Sequence, residues 1–284
     1  MNTEGQDILK EESKLLIDVE KVIASKNPTL LRYIPRFIIS FLKRLIHQDD
    51  VNRIIIQNTH LKGIDFGEAI LKDFGATYKV IALDKLDPHG RYLFASNHPL
   101  GGMDGIALIC AVGQRFKNIK FPVNDLLLNI KGLNNIFLPI NKHGAHSKAA
   151  AVVLEETFAS EAQILFFPAG LVSRKQKGGV IKDLEWKKKF VKKAIQHKRD
   201  IVPVHIDGQN TNTFYNLARW RKRLKIKANL EMLWLPDEMF KQKGKNLTLR
   251  FGEPIPWQSL EEQKDASVTA EKIKEIVYGL SKND

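Results

Sequence analysis

The sequence predicts an α/β fold in which a mixed, largely parallel central sheet is flanked by helices. From about residue 78 onward, short β-branched or aromatic runs alternate with stretches of helical periodicity. Several runs, such as the one at 200–206, are rich in β-branched residues, which is typical of strands covered on both faces. The chain has 284 residues, 43% of them hydrophobic, so it can bury a substantial core.

We predict that residues 1–50 form an N-terminal amphipathic helical segment and that residues 51–284 form the α/β domain. The stretch 28–48 is rich in Leu, Ile, Phe and Tyr yet contains several cationic residues, and Pro35 is expected to kink or divide it. This pattern suits a basic amphipathic segment in a membrane interface, whose cations reach anionic phosphates. It equally suits a helix packed on the main domain with its cations in water, and both can hold together.

The remaining elements follow in order along the chain. Each predicted strand is a short run enriched in β-branched or aromatic residues. Predicted strands lie at 78–83, 91–96, 119–123, 135–140, 163–168, 200–206, 230–235 and 247–252. Predicted helices lie at 104–117, 146–160, 184–198 and 268–281. This alternation of strands and helices is the pattern expected of α/β proteins.

The sequence LFASNHPLGGMDG, at 93–105, carries the strongest indication of chemistry. His98 follows a predicted strand, and Asp104 opens an apolar helical pattern six positions later. Gly101 and Gly102 allow the backbone to fold back so that the two side chains can meet. A carboxylate bonded to one imidazole nitrogen leaves the other nitrogen able to act as a general base. The alternatives are an ordinary loop histidine and an aspartate that only caps the helix.

Four sequence blocks, in order, resemble those of the lysophospholipid/glycerolipid acyltransferase superfamily. NHPLGGMDG resembles the first block, and its five residues between His and Asp are similar to the hemolysin-like and lyso-ornithine-lipid acyltransferase branch. The other three blocks are GLNNIFLPINKHG, FFPAGLVSR and IVPVHIDG. The resemblance covers about residues 75–255 and implies the α/β fold of these enzymes.

The resemblance also implies which residues form the site. His98 is expected to be the general base, and Asp104 is expected to orient it. The residues expected to contact substrate are Asn97, Gly101, Gly102, Lys142, Ala169, Gly170 and Arg174. Lys142 stands near the usual arginine of the second block, and Ala169 replaces the usual glutamate of the third. The turn at 168–171 is either a donor of backbone N–H groups to a tetrahedral oxyanion or an ordinary turn.

The activity implied is that of a lipid-biosynthesis O-acyltransferase. It would move a fatty acyl chain from acyl carrier protein or coenzyme A to the hydroxyl of a lyso-lipid. The departures at Ala169 and Lys142 favour a lyso-aminolipid acceptor of the ornithine or glycine type, with 1-acylglycerol-3-phosphate as the alternative. No cofactor is expected beyond the thioester co-substrate. A metal-dependent hydrolase is disfavoured because the sequence lacks further clustered ligands.

The net charge of +13 predicts attraction to polyanions. Arg174, Lys175 and Lys177 can bind the phosphate of coenzyme A, of a carrier's phosphopantetheine or of a lipid headgroup. Basic stretches at 182–200 and 219–227 can dock an acidic carrier protein or anionic lipid, or can simply be solvated. We expect a peripheral membrane protein on the cytoplasmic face of the inner membrane, without a transmembrane helix. A nucleic-acid-binding protein is the rival class, but no recognition motif supports it.

Overall fold

The computed structural model describes residues 17–124, 127–140 and 147–282. The strands in these residues are β1 (Thr77–Ile81), β2 (Tyr92–Ser96), β3 (Ile119–Val123), β4 (Phe137–Pro139), β5 (Gln163–Phe166), β6 (Arg174–Lys175), β7 (Ile181–Lys182), β8 (Asp200–Ile206) and β9 (Asn246–Phe251). Seven of these described strands form one sheet in the order β1-β9-β8-β2-β5-β3-β4, while β6 and β7 form a separate hairpin. Apart from the strand predicted at 230–235, each predicted strand is present within a few residues of its expected position.

The sheet is mixed and largely parallel, as the sequence predicts. β8, β2, β5, β3 and β4 run parallel to one another. β9 pairs antiparallel with β8, and β1 pairs parallel with β9, so the β1–β9 pair runs against the rest of the sheet. The carboxyl ends of the five parallel strands therefore lie at one edge, where α/β proteins usually bind their ligands.

Helices cover both faces of the sheet. The helices of the described residues are α1 (Val19–Lys26), α2 (Pro28–Tyr33), α3 (Arg36–Leu45), α4 (Gln48–Gln57), α5 (Ile64–Asp73), α6 (Gly102–Gly113), α7 (Ser147–Ala159), α8 (Lys189–Gln196), α9 (Asn212–Arg223), α10 (Leu235–Phe240), α11 (Trp257–Glu261) and α12 (Ala266–Gly279). Pro35 lies between α2 and α3, as predicted. None of the described helices is long and apolar enough to cross a membrane.

The core consists of two apolar layers, one on each face of the sheet. Successive side chains of a strand point to opposite faces, so Phe94 packs in the layer with α5 and α6. Leu93 and Ala95 pack in the other layer, with α8 and α12. All five residues of β2 are buried, which confirms that the central strands are covered on both faces.

The strand predicted at 230–235 is wrong. Residues Leu230–Trp234 form a short 3₁₀ helix, which leads directly into α10. Pro236 stands in the first turn of α10, where its fixed φ angle and missing N–H suit a helix start. Glu231 within the segment is fully buried and paired with arginines, so the stretch does not alternate between a core face and a solvent face as a half-buried strand would. Helices α4, α5 and α9 were not among the predicted elements.

Arg199 belongs to the basic stretch 182–200 but does not lie on the surface. Its side chain is fully buried, and its guanidinium donates to the carbonyl oxygens of Phe158 and Ala162, each at 2.7 Å, and to that of Ser160. A cation in this position satisfies free carbonyls in the last turn of α7 and just after it. Burial lowers the pKa of Arg199 to about 10, so the group remains charged at neutral pH.

Substitution of Arg199 by methionine should destabilise the fold. The buried carbonyl oxygens that the guanidinium satisfies would lose their donor, and we expect the free energy of unfolding to fall by about 3 kcal/mol. Urea denaturation followed by circular dichroism measures this loss. Lys192→Met, at an exposed position of the same basic stretch, is the control and should change stability by less than about 0.5 kcal/mol. Equal effects of the two substitutions would contradict the role of Arg199.

Candidate active site

The site lies where three neighbouring parallel strands end. β2 pairs with β5 on one side and with β8 on the other, so the loops after these strands meet at one edge of the sheet. The loop after β2 contains His98, and the loop after β5 contains the turn at 168–171. The predicted blocks from distant parts of the sequence are thus brought to one place by the sheet order.

His98 and Asp104 are in direct contact. The imidazole Nδ1 lies 3.2 Å from Oδ1 and 3.1 Å from Oδ2 of the carboxylate. Asp104 is fully buried, whereas the side chain of His98 keeps 15% of its surface exposed. Because a carboxylate only accepts hydrogen bonds, Nδ1 of the neutral imidazole carries the proton and Nε2 presents a lone pair. No group in the described part of the chain forms a hydrogen bond with Nε2. This is the geometry of a general base held by a carboxylate.

Asp104 also caps its own helix, so the two roles considered from the sequence occur together. It is in the first turn of α6, and its Oδ2 accepts the backbone N–H groups of Leu100 at 2.7 Å and Gly101 at 3.2 Å. These amides are free donors at a helix N-terminus. The cap fixes the carboxylate before it contacts His98, which limits the positions that the imidazole can take.

The two glycines of the motif are needed for both backbone shape and close packing. Gly101 has a φ of +101°, a conformation that other residues rarely adopt. A Cβ atom at Gly101 would lie 3.2 Å from the side chain of Leu235, and one at Gly102 would lie 2.9 Å from Sδ of Met239. The glycines thus allow α10 to pack directly on the motif, and their contact with substrate stays a prediction.

The ring of Phe167 packs against one face of the His98 imidazole. It stacks on His98 with 3.9 Å between centroids and 15° between planes. Phe121 packs edge-on against Phe167 at 5.2 Å, so the stack continues into the core. Aromatic packing of this kind restricts rotation of the histidine side chain.

Asn97 is buried and uses its amide within the protein. Its Nδ2 donates to the backbone oxygen of Ile206 at 2.9 Å, and its Oδ1 accepts the backbone N–H of Ile206 at 2.7 Å. The side chain therefore continues the pairing of β2 with β8 one step past the strand end. We predicted a substrate contact for Asn97, whereas the structure shows it fastening the loop that carries His98.

The turn at 168–171 leaves two of its backbone N–H groups without an acceptor among the described residues. Gly170 has a φ of +65°, and its N–H donates to the carbonyl of Phe167 at 3.0 Å. The N–H groups of Ala169 and Leu171 form no hydrogen bond with any residue that the structure describes. These two amides, rather than that of Gly170, are the available donors of the turn.

The guanidinium of Arg174 is not free to bind substrate, in contrast to the sequence prediction. Its guanidinium donates to Glu231 at 2.9 Å and lies 5.0 Å from the ring centroid of Phe214. Burial lowers the pKa of Arg174, and the fully buried Glu231 opposes that effect. The guanidinium is thus committed to an internal ion pair that ties β6 to the segment before α10. Lys142, the other predicted cation, lies outside the described residues.

Asp183 was missed by the sequence analysis. It is fully buried between Ser173 and Trp186, and burial raises its pKa. Its Oδ1 accepts from Oγ of Ser173 at 2.5 Å and from the backbone N–H of His98 at 3.2 Å, while Oδ2 accepts from Nε1 of Trp186 at 2.9 Å. In the sequence, Asp183 stands three residues before Trp186 in the lysine-rich run KDLEWKKK. This pattern does not by itself indicate a contact with His98.

Asp183 is a positioning residue because it acts through the backbone of His98. The backbone N–H of Ser173 donates to the carbonyl of His98 at 2.7 Å, so both polar backbone groups of the histidine are held by the segment 173–183. Asp104 accepts a hydrogen bond from the imidazole of His98, and Asp183 accepts one from the backbone N–H of the same residue. The base is thereby fixed at two separate points.

This chain is similar to known acyltransferases. The model of an acyltransferase family matches residues 21–283. Two curated relatives are named lyso-glycine lipid O-acyltransferase. The protein from Bacteroides thetaiotaomicron is 46% identical over 273 residues, covering 96% of this chain and 100% of the relative. The protein from Phocaeicola vulgatus is 45% identical over 273 residues, covering 96% and 98%.

A solved structure is also similar. It is that of the 1-acyl-sn-glycerophosphate (LPA) acyltransferase PlsC from Thermotoga maritima. The match has a TM-score of 0.48 at 15% sequence identity and covers 85% of this chain and 94% of that one.

Asp183→Asn should impair turnover more than substrate binding. An amide has one donor and one acceptor atom where the carboxylate accepts at both oxygens, so a donor from His98, Ser173 or Trp186 loses its partner. We expect kcat to fall about tenfold or more while each KM changes less than about twofold, because a displaced base slows the reaction without altering the binding surfaces. Steady-state kinetics on variant protein that circular dichroism shows to be folded measure both constants.

Trp186→Phe is the matched variant for this test. It removes one donor to Asp183 but leaves the contacts between Asp183, Ser173 and the backbone of His98. It should lower the melting temperature and keep kcat within about threefold of the parent value. If both variants lose kcat equally, Asp183 merely supports the fold.

Proposed function

This chain belongs to the acyltransferase family, and on that premise we propose that it transfers a fatty acyl group from a thioester to the hydroxyl of a lyso-glycine lipid. The observation that carries the catalytic half of the proposal is the contact of 3.1 Å between Nδ1 of His98 and buried Asp104. The two relatives at 45% and 46% identity support the acceptor, since both carry that name. Of the ornithine- and glycine-type acceptors favoured by the sequence, we therefore propose glycine.

The His98–Asp104 pair can perform both proton transfers of such a reaction. Nε2 of His98 takes the proton of the acceptor hydroxyl as its oxygen attacks the thioester carbonyl carbon. Asp104 stabilises the imidazolium that results. The tetrahedral intermediate then collapses, the carbon–sulfur bond breaks, and the leaving thiolate receives the proton from Nε2. The products are an ester and a free thiol, so the thioester and the alcohol suffice and we propose no further cofactor.

The N–H groups of Ala169 and Leu171 would stabilise the oxyanion of the intermediate. The turn that contains them follows β5, next to the loop of His98, and Phe167 at its start stacks on the imidazole. Each properly placed donor in a comparable site contributes about 3 kcal/mol to transition-state stabilisation. The oxyanion needs such donors because its negative charge is absent from the ground state.

The acyl donor would be acyl carrier protein or coenzyme A, which both present the acyl group on phosphopantetheine. The net charge of +13 suits either donor, because acyl carrier protein is acidic and coenzyme A is a polyphosphate. The lyso-lipid would be taken from a membrane surface, which leads to the last part of the proposal.

We propose that the protein binds the cytoplasmic face of the inner membrane through an apolar face built from two parts of the chain. Tyr33 and Phe37, at the end of α2 and the start of α3, are 77% and 72% exposed. Phe41 of α3 contacts Trp234, which joins this helix to the second part. The exposed apolar side chains of that part are Trp220, Leu224, Leu230 and Leu233. Exposed aromatic groups flanked by arginine and lysine are typical of proteins that lie in a membrane interface.

The acceptor is tested with purified protein, an acyl thioester and three lyso-lipids of glycine, ornithine and glycerol-phosphate type. We expect the O-acylated glycine lipid to form with the highest kcat/KM, as measured by mass spectrometry of the products. His98→Ala should lower this rate at least about a thousandfold, and Asp104→Asn at least about a hundredfold, because the base or its partner is lost.

The control for both substitutions is His89→Ala, at an exposed histidine in the loop before β2. It should leave the rate within about twofold of the parent value. A His98→Ala protein that keeps a tenth of the activity would show that another group is the base. Preferred esterification of the glycerol-phosphate acceptor would replace the proposed substrate by the alternative one.

The apolar face is tested by the double substitution Tyr33→Ser/Phe37→Ser. Loss of two aromatic groups that would enter the bilayer interface should reduce partitioning onto phosphatidylglycerol-containing vesicles at least about tenfold. Co-sedimentation with the vesicles measures this partitioning. Val152→Ser/Val153→Ser is the matched control, since these exposed apolar residues lie on α7 outside the face. Equal partitioning of the two double variants would disprove the assignment of this face.

A further inference from the structure

A groove with cationic walls adjoins the active site. It lies between the β6–β7 hairpin and α9 and has a volume of about 1090 Å³. Lys175 and Lys177 of the hairpin region line one side, and Arg219 and Lys222 of α9 line the other. We call this space, with these four residues, the basic groove. A volume of this size can hold an extended ligand rather than a single small ion.

The basic groove is lined by two residues that belong to the surroundings of His98. Leu171 and Asp183 are among its lining residues. Asp183 accepts the backbone N–H of His98, and Leu171 belongs to the turn proposed to hold the oxyanion. A ligand that fills the groove would therefore end beside the reacting atoms.

The cations of the groove differ in exposure and in pairing. Arg174 and Arg221 both pair with buried Glu231, whose single carboxylate offsets one of their two charges. At the rim, Lys177, Arg219 and Lys222 have no acidic partner among the residues that the structure describes. Lys175 is only near the amide oxygen of Asn212, at 3.5 Å. Although Glu185 and Glu271 also line the groove, its exposed cations Lys177, Arg219 and Lys222 are thus open to an anionic ligand.

Apolar groups also line the groove. They are Leu184, Tyr215 and Ala218. Leu184 keeps 39% of its surface exposed although its neighbour Asp183 is buried. Such a surface suits a neutral chain of methylene and amide groups better than a polyanion.

We propose that the basic groove binds the phosphopantetheine arm of the acyl donor, with the phosphate at the rim and the thioester beside His98. The inference rests on the proposed function and specifies where its donor binds. The exposed position of the open cations favours the acyl donor over the lyso-lipid acceptor as the ligand of the groove. In a lyso-glycine lipid the carboxylate lies only a few bonds from the reacting hydroxyl, whereas the phosphate of phosphopantetheine lies at the far end of the arm from the thioester. Only the second arrangement matches a groove whose open cations are exposed and whose buried residue Asp183 contacts the backbone of His98.

The test is the charge-reversal variant Lys177→Glu/Arg219→Glu, compared with Lys72→Glu/Lys79→Glu on α5 and β1. Three thioester donors with the same acyl chain are used, namely acyl-coenzyme A, acyl carrier protein and acyl-pantetheine, which lacks the phosphate. We expect the groove variant to raise the KM for the first two donors at least about tenfold, because like charges then face the phosphate. The KM for acyl-pantetheine, the KM for the lyso-lipid and kcat should change less than about twofold. The natural donor is identified as whichever of acyl-coenzyme A and acyl carrier protein has the lower KM with the unsubstituted protein.

Three results would overturn the inference. The KM of the lyso-lipid could rise instead, which would place the acceptor headgroup in the groove. The loss could be confined to acyl carrier protein, in which case the cations meet the carrier's acidic surface rather than the phosphate. The groove and control variants could also behave alike.

A separate measurement distinguishes this inference from the proposed function. Binding of the coenzyme A thioester and of acyl carrier protein is measured by calorimetry with no acceptor present. If the parent protein esterifies none of the lyso-lipids, the proposed acceptor fails, while weaker donor binding by the groove variant still supports the groove. If esterification is observed and donor binding is unaffected by the reversal, the groove assignment alone fails.

Discussion

The structure of the site depends on the hydrogen bonds accepted by one buried carboxylate. Asp104 accepts two backbone N–H groups at the start of α6 and the Nδ1 proton of His98. The helix N-terminus fixes the carboxylate, and the carboxylate fixes the imidazole. A glycine with positive φ at position 101 is the condition for this turn, because the backbone must reverse within three residues of the histidine.

Other parts of the chain hold the same loop from different directions. Asn97 joins it to the end of β8, Phe167 stacks on the imidazole from the end of β5, and Asp183 binds the backbone of His98 from beyond the β6–β7 hairpin. None of these contacts performs the chemistry. Their common effect is that the base has little freedom to move, which is what a proton transfer over hydrogen-bond distance requires.

The cationic side chains of the chain are of two kinds. Some are buried and paired within the fold, and others are exposed and free to bind a ligand. Arg199 binds carbonyl groups at the C-terminal end of α7, and Arg174 is paired with Glu231 inside the protein. The cations of the basic groove remain open at its rim. A buried guanidinium whose hydrogen bonds are all satisfied stabilises the fold. An exposed lysine loses little free energy when it has no partner, so it is available to bind a phosphate. Net charge alone does not distinguish the two.

The sequence by itself determined the strand–helix alternation, the division at Pro35 and the meeting of His98 with Asp104, because each depends on residues close together in the chain. The tertiary structure decided that 230–235 is helical, that Arg174 and Arg199 are internal, and that Asp183 supports His98 from 85 positions away. Burial and ion pairing depend on partners distant in sequence, and local periodicity contains no information about them. The same limit explains why Asn97 was predicted to contact substrate, although its amide is engaged by Ile206 across the sheet.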